Sequence, residues 1–232
     1  MSQEFFQRSA LLVGPEVMAR AAAARVLLLG VGGVGSWCAE ALVRSGIGHL
    51  TLADPDTVCP SNVNRQLMAT SATLGRPKAE VLQQRLQEIN PDAEIAVRLD
   101  RYCADTADSF PLEQYDYILD CIDSRHDKML LIEKALLSGR VFFSSTGAAL
   151  KSDPTQVRIC DFWHVEGDPL ARSLRKQLRR QGRVPEQPFL CVCSTELPRE
   201  EGRQDSVNGS LVTVTAAFGL AMASLVLQDL AR

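Results

Sequence analysis

Apolar residues come in short unbroken runs, set between longer polar stretches of helical character. RVLLLG (25–30) and YDYILDCID (115–123) are continuous enough to be central parallel strands, buried on both faces. HLTLAD (49–54), AEIAVRL (93–99), VFFSST (141–146), TQVRICD (155–161) and FLCVCST (189–195) read as further strands. Residues 33–45, 76–90 and 126–138 read as helices, the second with Pro77 at its start, and residues 4–23 as a helix leading in. Strand and helix in alternation predict an α/β fold, a Rossmann-like doubly wound and mainly parallel sheet with helices on both faces. After residue 150 the rhythm changes to a charged helix over 168–182, a loop over 197–209 rich in Pro, Gly and charge, and an apolar closing helix. The expectation is one domain over 1–232, with a nucleotide-binding half at about 1–150 and a C-terminal extension at about 151–232.

Composition narrows the setting. With 46% hydrophobic and 23% charged residues in 232, the chain can bury a core of ordinary size. A net charge of −3 provides no global basic field, so any nucleic-acid contact must come from a local patch. Leu211 to Leu227 is uncharged, but it is short for a membrane span and diluted by Thr213, Thr215, Gly219 and Ser224; a buried helix is expected. The N-terminal stretch, with Glu4, Arg8 and Glu16, has no signal-peptide core. Seven cysteines, an odd number with no C-x-x-C and most of them inside apolar runs, predict buried thiols in a reducing, cytoplasmic compartment rather than a disulfide framework or a four-thiolate zinc site. Cys191-Val-Cys193 reads as a strand with both thiols on one face.

The chemistry begins at LLLGVGGVGSWCAEAL. Gly30, Gly32 and Gly35 fit G-x-G-x-x-G between a strand and a helix, where free N–H groups and the helix dipole favour phosphate. Asp54 closes the second strand, where a carboxylate can accept from ribose hydroxyls. NAD and ATP are equally served so far. The next stretches, LADPDTVCPSNVNRQL and LGRPKAEV, bring Asn62, Arg65, Gln66 and Lys78 close behind. A nicotinamide needs no fresh Arg and Lys at that point, whereas a triphosphate needs its charge neutralised as pyrophosphate leaves. Asp120 and Asp123 flank the end of YILDCID; Asp123 is placed to meet magnesium or, alternatively, to cap the following helix. His126 and His164 lie in no recognisable catalytic motif.

Together GVGGVGS, LADPDTV, SNVNRQ, GRPKAE and DCIDS resemble the ATP-dependent adenylating enzymes that activate carboxylates of ubiquitin-like proteins. That resemblance implies Gly33, Asp54 and the neighbouring Asp56 at the nucleotide, Asn62, Arg65 and Lys78 on the phosphates, and Asp123 on Mg2+. It also implies a homodimer in which an arginine of the N-terminal helix, matched here by Arg8, reaches the partner's site. The paired C-x-x-C motifs usual in sulfur-carrier-activating members are absent. DPTQVRICD, GDPLARSLRKQLRRQG and CSTELP instead look like the tRNA threonylcarbamoyladenosine dehydratase branch, although His164-Val165 and the 197–209 loop depart from its pattern. The implied activity is ATP-dependent cyclisation of threonylcarbamoyladenosine in tRNA through an acyl-adenylate, with the C-terminal half serving substrate and dimer, and with a sulfur-transfer protein as a further partner. The alternative is adenylation of the C-terminal glycine of a ubiquitin-like or sulfur-carrier protein.

One helix points to tRNA from its residues. In GDPLARSLRKQLRRQGR, Asp168 is a natural N-cap and Pro169 suits the first turn. Arg172, Arg175, Lys176, Arg179, Arg180 and Arg183 fall on one helical face, opposite Leu170, Leu174 and Leu178. A single-sign stripe repels itself unless a polyanion meets it, so the six are expected on tRNA phosphates.

Overall fold

The computed structural model describes residues 2–184, 188–205 and 207–232. Three short helices lead in, α1 (Ser2–Phe5), α2 (Gln7–Val13) and α3 (Pro15–Ala23). The single helix expected over 4–23 is broken because Gly14 takes φ +88° and Pro15 then starts a new helix.

Strands β1 (Arg25–Leu29), β2 (His49–Ala53), β3 (Glu94–Arg98), β4 (Tyr117–Asp120), β5 (Val141–Ser145), β6 (Val157–Asp161) and β7 (Leu190–Ser194) form one sheet in the order β3-β2-β1-β4-β5-β7-β6. All neighbours pair in parallel except β6, which runs antiparallel to β7. One sheet therefore crosses both halves of the chain. β1 is flanked on both sides, and its Leu27 and Leu28 are fully buried, which explains the unbroken apolar run.

Helices cover both faces. α4 (Gly35–Arg44), α5 (Lys78–Ile89) and α8 (Val212–Leu230) pack on one side, and α6 (Arg125–Leu137) and α7 (Pro169–Arg180) on the other. α8 is long and apolar enough to cross a membrane; here it packs along α4, with Val214, Phe218, Met222 and Val226 fully buried. Two local expectations change. The 197–209 segment is more than a loop, since it holds a 3-10 turn (Glu200–Gly202) and the small hairpin β8 (Arg203–Gln204) with β9 (Val207–Asn208). α7 stops at Arg180, and Gly182 at φ +65° turns the chain away, so Arg183 is not on the helix.

Strand order reverses between β1 and β4: the chain grows outward to β2 and β3 on one side, then to β4 and β5 on the other. The carboxyl ends of the strands at such a reversal are the place where open α/β sheets bind ligands.

Candidate active site

The glycine turn follows β1 at that reversal. Gly30 takes φ +86°, and a Cβ on it would lie 2.6 Å from the Cys121 carbonyl oxygen. A Cβ on Gly35 would lie 1.9 Å from the Gly30 carbonyl oxygen. Those two glycines let strand, turn and helix come together. Gly32 differs, because a Cβ there would meet only the Gln66 side chain at 3.8 Å. It leaves room for a ligand rather than for protein. Val34 at the N-cap of α4 offers no side-chain acceptor, so the first turn of the helix keeps donors for an anion.

Asp54 is buried and tied back to the turn. Its Oδ2 accepts from Val31 N at 2.8 Å and its Oδ1 from Asp56 N at 3.0 Å. Burial pushes its pKa up, against the pull of those two N–H groups. Asp56 in turn pairs with Lys78, Oδ2 to Nζ 2.7 Å; the lysine is buried and the aspartate exposed. Asn62 is buried, and its Oδ1 accepts from Cys59 N, which closes the turn leading to Arg65. The Arg65 guanidinium donates to Ser61 O and Asn64 Oδ1, and its backbone carbonyl accepts from Trp37 Nε1 of α4 at 3.1 Å. Its stem lies against Gly33. Gln66 is buried beside Gly32, and its Oε1 has no partner among the described residues. A buried carbonyl-type oxygen without a donor, next to an open glycine, fits a bound ligand bearing N–H or O–H groups.

The structure thus gathers Gly30, Gly32, Gly33, Gly35, Asp54, Asp56, Asn62, Arg65, Gln66 and Lys78 around one turn. The two aspartates after β4 separate in role. Asp120 is fully buried: Oδ2 accepts from Lys128 Nζ and Ser144 Oγ, both at 2.7 Å, and Oδ1 from Ile122 N. Asp123 is exposed at the end of the strand. It is not the cap of α6; Ser124 is, with its Oγ accepting from Asp127 N. The capping alternative for Asp123 is therefore removed. Among the described residues no group of three or more His, Cys, Asp or Glu could hold a metal, so a cation here would need phosphate oxygens beside Asp123. Arg8 is exposed on α2.

The basic helix needs a larger correction. Asp168 caps α7 and Pro169 opens it, while Leu174 and Leu178 are buried and Leu170 is half-buried, as expected. Arg175, however, turns inward. Its guanidinium donates to the carbonyls of Phe162 and Val165, each at 2.8 Å, because the 3-10 turn Phe162–His164 ends under α7 with unpaired acceptors. Arg183 pairs with Glu133 of α6. Arg172, Lys176, Arg179 and Arg180 remain exposed, with Arg179 over the Trp163 ring at 5.2 Å. Five of the six therefore stay exposed, Arg183 beyond the end of the helix and against Glu133, while Arg175 turns inward. His164 is exposed beside Asp161, a surface imidazole.

Cys191 and Cys193 share one face of β7 and meet Cys160 of β6, with 2.8 Å between the sulfurs of Cys160 and Cys193. All seven cysteines are free, but only Cys38, Cys191 and Cys193 are fully buried, and Cys59 is exposed. Sequence reasoning passed over two buried lysines, Lys128 and Lys151, and the buried Glu196. Their partners lie at sequence distances that no local pattern reveals, although the CSTELP segment held Glu196.

A doubly wound sheet with a glycine turn, a buried carboxylate and two cations at its reversal point defines a nucleotide-binding protein built to handle phosphates. The sequence profile of the ThiF family matches residues 6–232, and the chain belongs to that family. It is 40% identical over 177 residues to the tRNA threonylcarbamoyladenosine dehydratase of Bacillus subtilis, covering 76% of this chain and 70% of that protein. The crystal structure of the Escherichia coli tRNA N6-threonylcarbamoyladenosine dehydratase in complex with AMP superposes with a TM-score of 0.92 at 35% identity, over 98% of this chain and 94% of that one. The same enzyme with ATP gives 0.91 at 34% identity, with the same coverage.

Proposed function

We propose that this protein is an ATP-dependent dehydratase that cyclises threonylcarbamoyladenosine in tRNA. The observation that carries this reading is the cluster around the turn: Gly32 open to a ligand, Gln66 Oε1 without a partner, and Arg65 and Lys78 beside it. The likeness to the AMP- and ATP-bound E. coli enzyme over nearly the whole chain supports it.

The chemistry follows from that arrangement. A carboxylate is a poor electrophile because oxide would have to leave. Attack of its oxygen on the α-phosphorus of ATP expels pyrophosphate and leaves an acyl-adenylate. The carbamoyl group of the same nucleoside then attacks the acyl carbon, the ring closes and AMP departs. The oxygen lost as water leaves in AMP. Proximity replaces an external nucleophile, and no cysteine is needed. Lys78 is held by an exposed aspartate, so it can exchange that carboxylate for a phosphate oxygen at small cost. Arg65 is anchored through its backbone, so its guanidinium can re-aim while its Cα stays fixed. Both cations face charge that grows as pyrophosphate leaves. The exposed Asp123 is the carboxylate that would hold Mg2+ on the phosphates, where the ion would neutralise part of their charge.

The assembly is read as a homodimer. α2 presents Leu11 and Leu12, 82% and 85% exposed, alongside Arg8. A second copy that buried those leucines would carry Arg8 towards its partner's site. The outward residues of α7 are read as the tRNA contact, and the free thiols fit a cytoplasmic setting.

The decisive experiment incubates the protein with magnesium-ATP and tRNA bearing threonylcarbamoyladenosine. AMP, pyrophosphate and a nucleoside lighter by one water are expected. ATP consumption with an unchanged nucleoside would overturn the reading.

A further inference from the structure

Two buried carboxylates tie together three segments near the carboxyl end of β5. Asp168 serves two neighbours at once. Its Oδ1 caps α7, accepting from Ala171 N at 2.8 Å. Its Oδ2 accepts from Gly147 N at 3.1 Å and lies 3.4 Å from Lys151 Nζ, which donates to the Gly147 carbonyl at 2.8 Å. The side chains of Lys151 and Asp168 are each 1% exposed. Glu196 holds the next two residues, accepting from Ser152 N at 2.9 Å and Asp153 N at 2.8 Å. Between these anchors Leu150 sits at φ +62°, fixed by its N–H to the Gly209 carbonyl and by Arg199 N on its own carbonyl.

A buried ion pair is weak evidence of stability, since apolar side chains of the same size often do as well. A branched residue in the left-handed region adds strain, and such strain gathers where geometry matters to function. Location supplies a reason for both. β5 neighbours β4, so the 146–151 loop opens on the same edge of the sheet as the glycine turn and Asp123. The Thr146 hydroxyl, at the start of that loop, is buried without a partner among the described residues. α7, held through Asp168, carries the outward arginines.

We propose that Lys151 and Asp168 are positioning residues for cyclisation. They lock the 146–151 loop and the N-terminus of α7 into one unit, so that tRNA on α7 presents its modified nucleoside to the phosphates in a fixed register. The role rests on α7 being the tRNA-facing helix.

The test uses the full chain and three variants. Lys151→Met keeps length and shape but removes the charge. Asp168→Asn and Asp168→Ser keep a capping acceptor for α7 and remove the partner of the lysine. ATP affinity, tRNA affinity and the single-turnover rate of cyclised nucleoside formation are measured for each. Both affinities are expected within about twofold of the parent, with the rate down by about tenfold to a hundredfold, the scale of a misplaced reacting group. Adding Arg179→Glu to Lys151→Met should cost less than the two single losses combined, because both act through α7. An unchanged rate in the three variants, or a rate loss matched by lost ATP affinity, overturns the proposal. If the single variants do not fold because each strands a buried charge, the Lys151→Met, Asp168→Asn double variant, which removes both charges, carries the same test. The underlying reading fails separately: unchanged tRNA affinity in an Arg179→Glu, Arg180→Glu variant removes α7 as the tRNA helix, whatever Lys151→Met does.

Discussion

The site has two walls, and they hold their charges differently. On the β1–β2 side, Lys78 is paired with Asp56, whose side chain is 64% exposed, and Arg65 is bonded to a carbonyl and an amide at the surface. On the β4–β5 side, Lys128 is locked between Asp120, Ser144 and the Ser145 carbonyl, and Lys151 between Asp168 and the Gly147 carbonyl. A cation held by an exposed partner can be handed to a phosphate. A cation in a fully buried pair cannot, because losing either partner strands a charge in the interior. The first wall leaves its cations free to change partners, and the second does not.

Removing a lysine from each wall should have opposite consequences. Lys128→Ala is expected to destabilise the fold by about 3–5 kcal/mol, since it leaves Asp120 buried and unpaired. Urea unfolding measures it; a loss of activity with unchanged stability would place Lys128 with the exchangeable cations. Lys78→Ala and Arg65→Ala should show the opposite profile, an intact fold with product formation lowered by about a hundredfold, as for loss of a transition-state donor. Unchanged AMP release in both would remove them from the phosphates.

A smaller effect sharpens the division within α7. Arg179→Glu with Arg180→Glu should weaken tRNA binding and reduce its salt dependence by roughly one unit of slope per lost phosphate contact. Arg175→Ala should instead cost stability, about 2 kcal/mol, through two charge-assisted bonds to carbonyls. Filter binding across a salt series and a denaturation curve separate the two.

The smallest effect is one of pH. Burial alone would raise the Glu196 pKa, but the N–H groups of Asp153 and Ser152, the Ser152 hydroxyl and Arg199 outweigh it and hold the pKa below the ordinary range. Its contribution is therefore full above about pH 4.3, the value for an unfolded glutamate, and is lost as pH falls through the lower folded value. The melting temperature of Glu196→Gln should fall less steeply below pH 4 than that of the parent; parallel curves would remove Glu196 as an anchor.

The alternating α/β architecture, the glycine turn, the closing carboxylate Asp54, the cap at Asp168 and the polar residues that gather around that turn were all legible along the chain. Each rests on a local rule: an apolar run, a turn that only glycine permits, or a side chain bonding its own backbone two or three residues away. The sequence also placed Arg175 on an outward face and Arg183 on the helix, because helical spacing assumes a helix that continues and says nothing about what lies beneath it. Three-dimensional packing sets the end of α7 at Arg180, the turn of Arg175 towards Phe162 and Val165, and the capping of α6 by Ser124 rather than Asp123. It alone decided which lysines are buried. Lys151 and Asp168 are separated by 17 residues and Ser152 and Glu196 by 44, and they meet because the sheet brings β5, β6 and β7 side by side. A buried charge is settled by the partner that reaches it, and that partner is found in space rather than along the chain.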